Sequence, residues 1–289
     1  MFRKILFPTD LSTASQKVLD CIPGLKSVGL QEAIILHVVD IRLAGGIAVE
    51  LQKEDKKILE ESKTRLEQVG VKAKIEIRIG IPFVEIVDLA QKENVSMIIM
   101  AEKGLAFVEE AVLGSVTENV IRHAQKPVLI QKFAPLAGKA KEECKLVCRN
   151  LFRRVLYPTD FSESAEKVID YLKEMKDAGC EEIIVYHIQD TRILSRHLMD
   201  RMEEFNKIDL SRLEKVKTQL EQFGFKKVTT RLETGVSISK ILQTAEELDI
   251  CLITMGAYGR SKVAEMFLGS ASENVARRST IPVLLVHAT

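Results

Sequence analysis

Two short patterns carry groups that suit a small anionic ligand, and each occurs twice. The first is Pro8-Thr9-Asp10 followed by Ser12; it returns as Pro158-Thr159-Asp160 with Ser162. The second is a spaced glycine set: Gly256-Ala257-Tyr258-Gly259, nine further residues, then Gly269-Ser270-Ala271-Ser272. Its counterpart reads Ala101-Glu102-Lys103-Gly104, nine residues, then Gly114-Ser115-Val116-Thr117. Glycine lets the backbone take positive φ and bring N–H groups close to a ligand. A helix opening at Ser270 or Ser115 offers N–H groups that lack intrahelical partners and carry positive partial charge, which suits phosphate. A carboxylate cannot serve phosphate. Asp10 and Asp160 suit a hydroxyl or amino donor instead, as on ribose or adenine. That division of labour suits a mononucleotide. The plainer alternative is that the aspartates cap the next helix and the glycines form turns. The combination, twice in one chain, is more specific than either part.

The elements that must position these groups are short apolar runs alternating with helical patterns. Strands are expected over Lys4–Phe7, Ala33–Val39, Ala73–Ile79, Met97–Met100 and Pro127–Gln131. The second set is Val155–Tyr157, Glu182–Ile188, Val228–Leu232, Cys251–Met255 and Pro282–Val286. Ser12 offers an N-cap for a helix through about Lys26. Glu50–Val69 reads as a charged helix with Leu51, Ile58, Leu66 and Val69 at helical spacing. Pro82–Glu93 is a helix with proline in its first turn, and Gly114–Ala124 leads into another. Continuous apolar strands separated by helices imply parallel strands covered on both faces, joined by right-handed crossovers. Ligands then bind beyond the carboxyl ends of the strands, where the winding reverses. Both patterns follow strands one and four.

The whole chain is a duplication. Residues 2–12 and 152–162 agree at seven of eleven positions with an offset of 150; residues 113–130 and 268–285 agree at ten of eighteen with an offset of 155. The second copy therefore carries a five-residue insertion between Asp190 and Gly235. A period this long is a duplicated domain, because solenoid repeats run roughly 20–50 residues. We expect domains at 1–133 and 152–289, joined by a partly helical linker at 134–151. A net charge of +1 argues against nucleic-acid binding by bulk electrostatics. No apolar run reaches the roughly 18 residues of a membrane span, and the amino-terminal stretch does not read as a signal peptide. Five scattered cysteines read as reduced thiols of a cytoplasmic protein. Cys144-x-x-x-Cys148 lacks a second Cys/His pair nearby, which disfavours zinc.

The P-T-D-x-S and G-x-x-G-x9-G-S patterns together resemble the ATP-binding branch of the universal stress protein family, here with two domains in tandem. The resemblance covers both halves outside residues 134–151. It implies two five-stranded α/β domains of the adenine nucleotide alpha-hydrolase-like type, each binding ATP or AMP, with Mg or Mn held through the phosphates. It also implies pairing of the domains through their fifth strands, which would make an intrachain pseudo-dimer; two fused copies with strand edges that seek pairing lead us to expect a further homodimer as well. Carried over by residue, Pro158, Thr159 and Asp160 would sit at the adenine and ribose end, with Ile188 against adenine. Met255 and Gly256 would border ribose and phosphates. Gly259, Gly269, Ser270, Ala271 and Ser272 would hold phosphate, with Arg260 as an added cation.

In the first copy Pro8, Thr9, Asp10, Val38, Met100, Gly104, Gly114, Ser115, Val116 and Thr117 match. Ala101 replaces the first glycine. At positive φ an alanine there would cost roughly 1 kcal/mol, and an inward-pointing Glu102 would repel phosphate. Binding is therefore expected in both copies and tighter in the second.

His37 and His187 hold equivalent places near the ends of the second strands and read as structural. Glu118 and Glu273 complement the dipoles of the helices they open. No base for an attacking water stands out, so a regulatory module is favoured, with at most slow hydrolysis. Two other readings stay open. One is an adenylating or ATP-hydrolysing enzyme on a related sheet, disfavoured because the first loop lacks a glycine pair. The other is a scaffold with vestigial pockets.

Overall fold

The apolar runs form parallel strands that extend further than their hydrophobic cores. The first half contains β1 (Lys4–Thr9), α1 (Thr13–Val18), β2 (Glu32–Asp40), α2 (Ala48–Gln68), β3 (Lys72–Gly80), α3 (Pro82–Lys92), β4 (Met97–Ala101), α4 (Ser115–His123) and β5 (Val128–Gln131). After these come two short strands, β6 (Phe133–Pro135) and β7 (Cys144–Leu146), paired antiparallel. The second half contains β8 (Arg154–Pro158), α5 (Glu163–Met175), β9 (Glu182–Asp190), α6 (Met202–Gln222), β10 (Val228–Gly235), α7 (Ser237–Glu247), β11 (Leu252–Gly256), α8 (Ser270–Arg278) and β12 (Val283–Val286). This computed structural model describes residues 2–42, 48–102, 113–135, 144–146, 150–192, 202–259 and 269–287. The chain divides into two units, one from Met1 to Arg149 and the other from Asn150 to Ala288.

Each unit is a doubly wound parallel sheet. The first has strand order β3-β2-β1-β4-β5 and the second β10-β9-β8-β11-β12. The winding reverses between β1 and β4, and between β8 and β11, which is where ligands bind in such sheets. Proline helps to open that crevice. The Thr159 N–H reaches Tyr186 O on β9 at 2.8 Å. Alternation along the strand then turns the Pro158 nitrogen, which has no proton, toward β11. Pairing between β8 and β11 is confined to Val155 and Leu156, and between β1 and β4 to Ile5 and Leu6. Beyond those residues the central strands lose their ladder on that side.

Three local features differ from the sequence reading. The first helix stops at Val18 and gives way to a 3-10 turn over Ile22–Val28. Pro23 lacks an N–H and disfavours helix in the residue before it. The second copy has no proline there, and α5 runs on to Met175. Residues 134–135 and 144–146 of the linker, expected to be partly helical, are extended. Among the described side chains of α2 the buried apolar residues are Leu59 and Leu66, two turns apart, while Ile58, and Val69 just past the helix, are exposed; the side chain of Leu51 lies outside the described residues.

The insertion is also resolved into parts. Leu59 and Leu66 correspond to buried Leu213 and Leu220 at an offset of 154, whereas the register of β3 and β10 requires 155. Four residues thus enter before the helix, and one enters in the turn after Gly70 and Gly224.

Candidate functional site

The P-T-D loop is built by its own short side chains. In the second unit Thr159 Oγ1 accepts from the Phe161 N–H at 3.0 Å, and Asp160 Oδ1 accepts from the Ser162 N–H at 3.0 Å. Ser162 is the N-cap of α5, accepting from the Ala165 N–H at 3.3 Å. These bonds bend the chain so sharply that Phe161 takes φ of 57°. The first unit repeats the arrangement: Thr9 with Leu11 at 3.0 Å, Asp10 with Ser12 at 3.1 Å, Ser12 with Ser15 at 3.2 Å, and Leu11 at φ of 62°. The serines, not the aspartates, cap the helices. A Cβ placed on Gly259 would lie 3.2 Å from Asp160 Oδ2, so the aspartate's second oxygen faces the glycine turn.

The glycines act through space rather than through positive φ. Gly256, Gly259 and Gly269 lie outside the left-handed region. A Cβ on Gly256 would approach Ser164 Oγ to 2.7 Å and the Ser164 carbonyl carbon to 2.9 Å, because the start of α5 crosses the end of β11 there. This corrects the expected penalty at Ala101, whose φ is not positive either. The first unit has Ala14 where the second has Ser164, so the hydroxyl that would clash is gone.

The starts of α8 and α4 are tied to the strand ends. The Gly269 N–H donates to Ala257 O at 2.9 Å and Ser272 Oγ to Gly256 O at 2.7 Å; Gly114 and Thr117 make the matching bonds to Glu102 O and Ala101 O, both at 3.0 Å. The N-cap residues Gly269 and Gly114 carry no side chain, and among the described residues no side chain caps α8 or α4. Their first-turn N–H groups are therefore available to an anion. Ser272 and Thr117 commit their hydroxyl protons to the strand, so a phosphate there would be held by backbone.

In the second unit these parts enclose a cavity of about 860 Å³. Pro158, Thr159, Asp160, Ile188, Met255, Gly256, Gly259, Gly269, Ser270, Ala271 and Ser272 all line it. Arg260 lies outside the described residues, as does Gly104 of the first unit. In that unit Pro8 and Thr9 end β1 with Asp10 just beyond it, Val38 sits on β2, Met100 and Ala101 end β4, and Gly114, Ser115, Val116 and Thr117 open α4. Glu102 pairs with the buried Lys132 at 2.6 Å. Its counterpart Ala257 is buried and absent from the cavity wall, so the side chain at this position points away from the cavity. The expected repulsion of phosphate by Glu102 does not follow from this geometry.

Sequence reasoning missed the wall that α6 supplies. Phe205, Ile208, Asp209 and Arg212 line the cavity, with His187, Gln189, Asp190 and Arg192 from the end of β9 and Ser237 from α7. The signal was present: aligned at the helix offset of 154, Asp55 and Asp209 coincide. His187 Nδ1 lies 2.7 Å from Thr159 O, and its Nε2 lies 3.4 Å from Asp209 Oδ2. His37 makes the same pair of contacts, to Thr9 O at 2.9 Å and Asp55 Oδ2 at 3.4 Å. Each histidine ties the P-T-D loop to the following long helix. Arg192 and Ser237 hold Asp190 well below the usual carboxylate range, and Arg42 lowers Asp40 likewise. Burial pushes the Tyr258 hydroxyl, on the cavity wall, upward.

Two doubly wound units, each with a helix start facing the reversal of its sheet, define a tandem α/β protein. The chain belongs to the universal stress protein family, whose model matches residues 1–132 and again 151–287. Universal stress protein MJ0577 of Methanocaldococcus jannaschii is 40% identical over 155 residues, spanning 46% of this chain and 96% of that protein. Universal stress protein Slr1230 of Synechocystis is 26% identical across 97% of this chain and 88% of its own length, so it shares the tandem arrangement. The crystal structure of a universal stress protein from Archaeoglobus fulgidus is 29% identical, covers 99% of both chains and superposes with a TM-score of 0.78.

Proposed function

We propose that the chain is an adenine-nucleotide-binding regulatory protein of the stress response, with one pocket for ATP or AMP in each unit. The observation that carries this reading is the cavity of the second unit, where Asp160, the glycine turn and the uncapped start of α8 meet. The N–H groups of α8 would hold the phosphates. Asp160 would accept from ribose or the base amine, and Ile188 would pack against the base. His187 directs both ring nitrogens at Thr159 O and Asp209, so it does not serve as a base for water. That favours retention of the nucleotide over turnover.

Among the described residues no group of three or more His, Cys, Asp and Glu side chains could hold a metal. Mg²⁺ or Mn²⁺ would therefore enter on the phosphates themselves. No helix among the described residues is long and apolar enough to cross a membrane. A cytoplasmic location, pairing of the two copies through their fifth strands and a further homodimer are parts of the same proposal, the pairing because an unpaired strand edge seeks a partner.

The purified chain, denatured, should release AMP or ATP, and the folded chain should bind added ATP with negligible turnover. Fast pyrophosphate release would favour the adenylating enzyme instead. Absence of both retained nucleotide and measurable ATP affinity would leave the scaffold.

A further inference from the structure

The cavity of the second unit has two unlike ends. At one, the uncapped start of α8 suits phosphate. At the other, Ile188, Phe205 and Ile208 offer apolar surface for the faces of a flat base. On that second wall α6 also presents Asp209 and Arg212, three residues apart and hence on one helical face.

Both side chains are held from behind. Asp209 accepts from Gln189 Nε2 at 3.0 Å and faces His187 Nε2 at 3.4 Å. The Arg212 guanidinium lies 5.4 Å from the Phe161 ring centre, with NH1 3.6 Å from Asp209 Oδ1. That separation is an ion pair too long for a hydrogen bond, so the donors of the fork are not spent on it. The Phe161 ring in turn rests on His187 at 4.6 Å.

The first unit serves as an internal comparison. It keeps the His37–Asp55 pair at 3.4 Å, but Leu11, Val39 and Ile58 stand where the second unit has Phe161, Gln189 and Arg212. The arginine, the ring beneath it and the amide beside Asp209 occur together or not at all.

We propose that Arg212, acting with Asp209, is a base-reading specificity determinant of the second pocket. It selects a base that carries an amino group beside a ring-nitrogen acceptor, as adenine does. Asp209 accepts from the amine and Arg212 donates to the flanking nitrogen. Guanine presents a carbonyl oxygen at that edge, which would face the Asp209 carboxylate. This inference rests on the reading of the cavity as a nucleotide pocket. The first unit keeps the carboxylate, Asp55, but has Ile58 in place of the arginine, so it would lack the donor to the ring nitrogen.

The test is calorimetric titration of the full chain with ATP, GTP, 7-deaza-ATP and 1-deaza-ATP, following the site abolished by Gly259→Asp. At that site ATP should bind roughly ten- to hundredfold more tightly than GTP and than one of the two deaza analogues, the scale of a hydrogen bond to a charged group. Arg212→Ile, the residue of the first unit, should bring that deaza analogue level with ATP. Arg212→Lys, which keeps the charge without the fork, should recover part of the difference. If ATP binds and neither analogue differs from it, or if the difference survives Arg212→Ile, the inference is overturned while the nucleotide pocket stands. If wild type binds no ATP, both fall.

Discussion

At Gly256 the requirement is room for a crossing helix. A methyl group there meets the Ser164 hydroxyl and backbone within 3 Å, a contact that forces strands or helices apart. Gly256→Ala should lower stability by roughly 1–3 kcal/mol, the range for overpacking a close contact. Adding Ser164→Ala recreates the Ala14 and Ala101 pair of the first unit and should recover part of the loss in denaturant unfolding. No recovery would mean that the backbone of α5, not the hydroxyl, sets the limit. The same comparison explains why the altered loop of the first unit is no defect. Ala101 sits opposite a smaller neighbour, and Glu102 answers the buried Lys132 where the second unit has Ala257 and His287.

Among the elements, α7 shows how a neighbouring strand completes a helix. Its own N-cap, Val236, makes no side-chain bond. Asp190, from the end of β9, accepts from the Ser237 N–H at 3.2 Å and from Ser237 Oγ at 2.8 Å. Its folded pKa is lowered by Arg192 first and Ser237 after. The stabilisation is therefore fully present above the unfolded carboxylate pKa, about 4, and is lost as pH falls through the lower folded value. Asp190→Asn should reduce the melting temperature at pH 7, by an amount corresponding to about 1 kcal/mol for a helix cap. The gap between the two proteins should narrow as pH drops below about 4. A gap independent of pH would show that the carboxylate charge contributes nothing. In the first unit Pro82 stands where Ser237 would be, so the cap belongs to the second unit alone.

For the molecule as a whole, duplication predicts two binding events of unequal strength. Gly259→Asp should remove the tighter ATP site and Gly104→Asp the weaker one, each leaving about one nucleotide per chain in equilibrium titration. Equal loss of affinity from the two variants would sink the ranking of the sites. The ranking rests on the polar wall of the second pocket, where Gln189 of β9 and Arg212 of α6 stand in place of Val39 and Ile58.

Much of this was legible in the residues. The doubled P-T-D-x-S and glycine patterns, the parallel sheet and the cavity ends at strands one and four follow from local periodicity and from groups close in sequence. Proline in a strand and an uncapped helix start are also written locally, because each depends on one residue's missing proton or missing side chain. What only the tertiary structure decided depends on distance along the chain. That Gly256 must be small is set by Ser164, and the meeting of Arg212 with Phe161 and of Asp209 with His187 brings a long helix onto a strand end. A four-residue insertion hid the alignment of those helices, and no periodicity reveals which face of a charged helix looks into a cavity.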